Sequence, residues 1–170
     1  AAGNGGSATQ SQHLTSELVG RFRNDRLGLS AISLAVEPAA MTAIANDFGF
    51  DQVFARQIEA LAGPEDLFIA FSTSGRSQNL LVAADLARER GLAVVGMTAE
   101  GSELGNRCHV VVNAPPGSTA SIQEDHLVAL HLICEVVESE VFGLSYGPEE
   151  LVGLVGSDEA LEQRESWRTE

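Results

Sequence analysis

His13 and Glu17 stand four residues apart in Gln12-His13-Leu14-Thr15-Ser16-Glu17, the spacing that puts two side chains on one face of a helix. An imidazole beside a carboxylate can move protons or bind a divalent metal. A solvated helix pair has the same spacing, so what surrounds the two residues matters more than the spacing itself. They follow closely on Gly3-Asn4-Gly5-Gly6-Ser7, and a glycine-rich loop that feeds a helix N-terminus is an anion-binding arrangement. A second polar loop, Ser72-Thr73-Ser74-Gly75-Arg76-Ser77, gathers four hydroxyls within six residues ahead of the helical pattern Leu80, Leu81, Ala84, Leu86. Its plain alternative is a Ser/Thr turn that satisfies its own backbone. Two helix N-termini facing one anion describe a site for a phosphorylated small molecule.

The third element is Gln123-Glu124-Asp125-His126-Leu127-Val128-Ala129-Leu130-His131, which leads into the most apolar helical stretch of the chain. The Leu132-Ile133-Cys134 run after His131 places that histidine deep, where a core role competes with a ligand role. Gln123 and His131 are eight residues apart, about 12 Å along a helix and roughly 80° around it, so one metal would have to lie between them. With His13 and Glu17 they would make a nitrogen and oxygen site suited to zinc or a similar divalent ion. Spacing alone does not bring the two helices together.

The rest of the chain limits the chemistry. All ten basic residues are Arg, so mechanisms that need a Schiff-base or Walker lysine are excluded. A formal net charge of −14 argues against nucleic acid and anionic membranes as partners, so any phosphate must be held locally by loops and helix ends. Cys108 and Cys134 lack C-x-x-C spacing and read as buried free thiols in a reducing, cytoplasmic setting. No run approaches a membrane span, and the start lacks a signal pattern.

The elements that must position these residues alternate. Short apolar runs over 31–36, 66–71, 92–98 and 109–114 read as strands. Helical patterns cover 7–22, 38–45, 51–62, 77–90 and 119–142, with Ser7 and Gln10 forming a capping box at the first. Alternation predicts an α/β fold, a three-layer parallel sheet with helices on both faces and ligand loops at the strand C-termini, near a reversal of strand order. One domain over 1–144 is expected, followed by an acidic tail with short helices over 145–170. Only Ala1 and Ala2 precede the glycine loop, so the strand that should support it is expected to be missing.

Taken in order, Gly3-Asn4-Gly5-Gly6-Ser7, QHLTSELVGRF, Thr42 to Gly49, Ser72-Thr73-Ser74-Gly75 with Ser77, and Ile122-Gln123-Glu124 with His126 and His131 resemble phosphoheptose isomerase. That family has the flavodoxin-like sugar isomerase (SIS) domain fold, and the resemblance runs from Ala1 to about Phe142. It implies interconversion of sedoheptulose 7-phosphate and D-glycero-D-manno-heptose 7-phosphate through an enediol, with Glu17 and His131 as the acid/base pair. It implies one zinc per subunit on His13, Glu17, Gln123 and His131. It implies substrate contacts at Asn4, Gly5, Gly6, Asn46, Asp47, Ser72, Thr73, Ser74 and Ser77, shared with Glu17 and Gln123. It also implies a tetramer with active sites between subunits, so that the two helices would meet across an interface. Ser121 stands where the family commonly has Arg, and Arg76 where a smaller polar residue is usual; Arg21 is assigned no catalytic role. The competing readings are a non-catalytic regulatory binding protein of the same fold, which would lack the Glu/His pair, and an isomerase or sensor for another sugar phosphate.

Overall fold

The structure is a computed structural model that describes residues 1–144; the tail expected over 145–170 lies outside the described residues. Strands β1 (Ala2–Gly3), β2 (Leu67–Ser72), β3 (Ala93–Ala99) and β4 (Val110–Ala114) form one parallel sheet in the order β1-β2-β3-β4. Successive side chains of β2 point to opposite faces, and both faces are apolar because both are covered. Phe68 and Ala70 pack with Val94 under the helices α3 (Ala55–Leu61) and α4 (Gln78–Glu89). Ile69 and Phe71 pack with Met97 under α1 (Gly6–Val19) and α5 (Thr119–Phe142). The expected three layers are therefore present. Among the described strands the order runs straight through with no reversal, so the site is located by the strand C-termini alone.

Two expectations are corrected at the start of the chain. The strand before the glycine loop is present as a two-residue piece, with Ala2 beside Ala70 and Gly3 beside Phe71. The run 31–36 is not a strand. It runs beside Ala1, with the Leu34 N–H donating to the Ala1 carbonyl and the Ala1 amine donating to the Ile32 carbonyl. Only Ser33 and Leu34 of this run are buried, so its apolar character reflects one core anchor and not a ladder.

Helix ends follow local chemistry. Ser118 caps α5 by accepting from the Ser121 N–H at 3.1 Å, and Gly143 closes it in the left-handed conformation. α2 (Pro38–Phe48) starts with Pro in its first turn after Glu37, whose carboxylate accepts from the Ala39 N–H. The segment expected as one helix over 51–62 divides into a 3-10 turn at Phe50–Gln52 and α3. α1 ends at Val19, short of the expected Phe22, because Gly20 terminates it. The expected capping box also fails, since Gly5 holds the cap position with φ +55° and Ser7 is already inside the helix.

Candidate active site

Because β1 and β2 are parallel and in register, their C-terminal ends bring Asn4 and the Ser72 loop side by side. The two loops are joined by a reciprocal amide pair. Asn4 Nδ2 donates to Asn79 Oδ1 at 3.0 Å, and Asn79 Nδ2 donates to Asn4 Oδ1 at 2.9 Å. Gly3 is required here, because a Cβ would lie 2.5 Å from the Ser7 carbonyl carbon. In the second loop Ser72 is buried and its Oγ accepts from the Gly75 N–H at 3.0 Å, while Ser74 Oγ accepts from the Arg76 N–H at 3.3 Å. The self-satisfying turn is thus realised in part: two of the hydroxyls shape the loop. Thr73 is half-buried, Ser77 sits at the α4 cap without a side-chain cap bond, and the Arg76 residue is exposed.

α1 and α5 meet within one chain. His13 Nε2 lies 3.1 Å from Glu17 Oε1 and 3.4 Å from His131 Nε2, with the two imidazoles edge to face. The expectation that these helices meet across a subunit interface is corrected. Gln10 Nε2 adds a second tie, donating to the Gln123 carbonyl. A cleft of about 420 Å³ opens between Gly6, Thr9, Gln10 and His13 on one side and Ala120, Gln123, Glu124 and Leu127 on the other. Gly6 faces the Gln123 side chain so closely that a Cβ would meet its amide at 2.5–2.7 Å.

The Leu132-Ile133-Cys134 run predicts the deep position for His131, but the buried histidine is His126, 1% exposed in an edge contact with Phe71 and with neither ring nitrogen hydrogen-bonded. His131 is partly exposed beside the cleft. Burial, reinforced by the nearby His13, pushes its pKa below the ordinary imidazole value. Neutral imidazole is therefore favoured at this position.

The side chains that hold His131 were not found from sequence. Phe22 stacks on its ring at 5.4 Å and 25°, and the Arg23 guanidinium lies 5.6 Å from the Phe22 centroid while pairing with Glu135 at 2.9 Å. Glu138 accepts from the backbone N–H groups of Phe22, Arg23 and Asn24, from Asn24 Nδ2, and from Arg26 Nε at 2.9 Å. A signal was available: Glu135 and Glu138 lie four and seven residues beyond His131, so they share its helix face beside the apolar Cys134. Carboxylates on an inward face demand partners.

The donor set can be tested against a metal. Tetrahedral zinc with bonds of about 2.0–2.1 Å has donor-to-donor edges of about 3.3 Å, and the two contacts of His13 match that length. Two imidazoles, a carboxylate and the Gln123 amide also suit zinc in donor type. Among the described residues, however, no three His, Cys, Asp or Glu side chains converge as a group able to hold an ion. His13 contacts both Glu17 and His131, and holding an ion would require these side chains to draw together into such a group. Asn46 and Asp47 are not drawn in: they are exposed at the end of α2, with Asn46 Nδ2 donating to Asp47 Oδ1 at 2.8 Å. Cys108 and Cys134 are free thiols. No described helix is long and apolar enough to cross a membrane.

The SIS domain family model matches residues 1–99. Phosphoheptose isomerase of Helicobacter hepaticus is 45% identical over 139 residues, covering 81% of this chain and 71% of that protein. Its counterpart from a Bradyrhizobium strain is 48% identical over 138 residues, covering 81% and 70%. The solved structure of a phosphoheptose isomerase from Francisella tularensis superposes with a TM-score of 0.77 at 34% identity, covering 82% of this chain and 75% of that one. With the loops, the helix pair and these likenesses in agreement, the chain belongs to the phosphoheptose isomerase family of SIS-domain proteins.

Proposed function

We propose that the chain is an aldose–ketose isomerase that interconverts sedoheptulose 7-phosphate and D-glycero-D-manno-heptose 7-phosphate. The observation that carries this reading is the meeting of His131 with the His13/Glu17 pair at one end of a two-loop anion cradle. Its relatives in Helicobacter hepaticus and Bradyrhizobium, named phosphoheptose isomerases, support the choice of sugar.

The reaction moves one proton between adjacent carbons and another between their oxygens, through an enediol. Glu17 and His131 are the two proton-transferring groups, each position worth about 10²–10⁴-fold. The neutral state favoured for His131 lets one ring nitrogen accept while the other donates. Asn4, Gly5 and Gly6 with Ser72, Thr73, Ser74 and Ser77 hold the phosphate end, and that remote binding energy positions the reacting carbons. Gln123, across the cleft from His13, contacts the sugar hydroxyls. Asn46 and Asp47 are assigned to substrate by likeness to the family. His13, Glu17, Gln123 and His131 would hold zinc, which when bound would polarise the substrate carbonyl. Assembly as a tetramer belongs to the same reading and is supported by Phe48, which α2 leaves 55% exposed while its Met41 and Ile44 pack partly buried against the core. Reaction in the cytoplasm belongs to the same reading.

A coupled assay with sedoheptulose 7-phosphate tests it. Wild-type protein turns over, and His131→Ala loses about 10²–10⁴-fold in kcat while still binding the sugar phosphate. Binding without turnover in the wild type would establish a non-catalytic binding protein instead.

A further inference from the structure

Glu138 and Arg26 are buried together, with side chains 0% and 2% exposed and 2.9 Å between Arg26 Nε and Glu138 Oε1. A salt bridge this deep needs every remaining donor and acceptor satisfied. Arg26 meets that demand at the end of α1, and Glu138, itself on α5, meets it in the turn that follows α1. Arg26 gives its terminal N–H groups to the end of α1, with Nη2 on the Glu17 carbonyl at 2.7 Å and Nη1 on the Leu18 carbonyl at 3.0 Å. Glu138, on α5, collects the backbone N–H groups of the Phe22–Asn24 turn. One charge pair therefore grips the helix of His13 and Glu17 at Glu17 itself, and grips the helix of His131 two turns below that ring. The same turn carries Phe22, whose ring lies flat on His131.

We propose that Arg26 and Glu138 are positioning residues for the reaction: they lock α1 against α5, and through the Phe22 turn they fix how His131 approaches His13 and Glu17. The proposal rests on the isomerase reading for its catalytic consequence, though not for its geometry. A salt bridge that merely added stability could be weakened in a folded protein without moving the imidazoles, whereas a positioning pair cannot.

The test uses the full chain with Glu138→Gln, Arg26→Lys, Phe22→Leu and Phe22→Tyr, and two readouts. Ring-nitrogen NMR spectra of the histidines report the His13/His131 contact, with His126 and His109 as internal references. Steady-state kinetics on sedoheptulose 7-phosphate report the reaction. In folded Glu138→Gln and Arg26→Lys the His13 and His131 ring signals shift while those of His126 and His109 stay, and kcat falls about 10- to 100-fold with KM within about twofold. Phe22→Leu behaves likewise, and Phe22→Tyr, which keeps the ring, retains wild-type turnover. Unmoved His13 and His131 signals in the folded variants would overturn the proposal, as would unchanged kcat in an active enzyme. Should Glu138→Gln not fold, Arg26→Lys and Phe22→Leu decide. Should the wild type lack turnover, the isomerase reading fails and the ring spectra alone decide the positioning role.

Discussion

Gly6→Ala separates catalytic geometry from folding more sharply than any substitution of a charged residue. The new methyl group would fall 2.5 Å from Gln123 Nε2, 2.6 Å from Oε1 and 2.7 Å from Cδ. Ordinary contact needs about 3.5–4.0 Å, so the Gln123 amide must retreat by about 1 Å. It is the end of a flexible side chain, and Gly6 does not have the positive φ that would strain alanine. The fold therefore survives, and alanine in a helix gains up to about 1 kcal/mol over glycine. A 1 Å misplacement of a positioning group costs on the order of 10²-fold, or about 2.7 kcal/mol in the barrier. Gly6→Ala is expected to keep or raise Tm while kcat/KM in the coupled isomerase assay falls about 10- to 100-fold. Gly3→Ala is the control, since its methyl group would strike the Ser7 backbone, which cannot swing aside, and Tm should drop. Full activity in Gly6→Ala would show that Gln123 does not serve the site, and a collapse of Tm would refute the packing described between the glycine and the amide.

Removing one member of the buried Arg26–Glu138 pair, as in Glu138→Ala, strands the other charge and should cost about 3–5 kcal/mol in chemical denaturation, whereas an apolar replacement of both residues should cost far less. His126 is held below the ordinary imidazole pKa by burial, opposed in part by Asp125. Its unfolded form thus binds the proton more readily, so stability should be full above about pH 6.5 and decline as the pH falls below it, and His126→Leu should flatten that decline in urea titrations. Cys108 and Cys134, pushed up to about 11 and about 12 by burial, should resist thiol reagents at neutral pH until the chain is unfolded. Purified protein should contain zinc that a His13→Ala/Gln123→Ala variant loses; unchanged metal content measured by atomic emission would remove those two ligands.

The sheet was legible where apolar runs are bounded by turns and buried on both faces, as in β2 and β3, and β4 was legible from its β-branched run although only Ala114 of it is buried. Residues 31–36 carry the same apolar signature, yet a single buried leucine beside a two-residue edge produced it. α5 matched its expected bounds because Ser118 and Gly143 punctuate it chemically, whereas Ser7 and Gln10 imitate a capping box that the positive φ of Gly5 pre-empts. In the site, His13 and Glu17 could be paired by period alone. Their approach to His131 could not, because 118 residues of chain separate the two histidines. Asn79, Phe22, Arg26 and Glu138 escaped notice for a related reason: each acts through a partner distant in sequence, and one residue type at one position carries no record of that partner.

The tie between the two cradle loops, Asn4 to Asn79, is made of two uncharged carboxamides. Neither ionic strength nor acidity between the extremes alters such a pair. Added salt should therefore leave the cradle's shape intact while lessening the long-range repulsion between a phosphorylated anion and a chain of net charge −14. Ionic strength then acts on how often ligand arrives, and the loops receive it in the same form at every concentration.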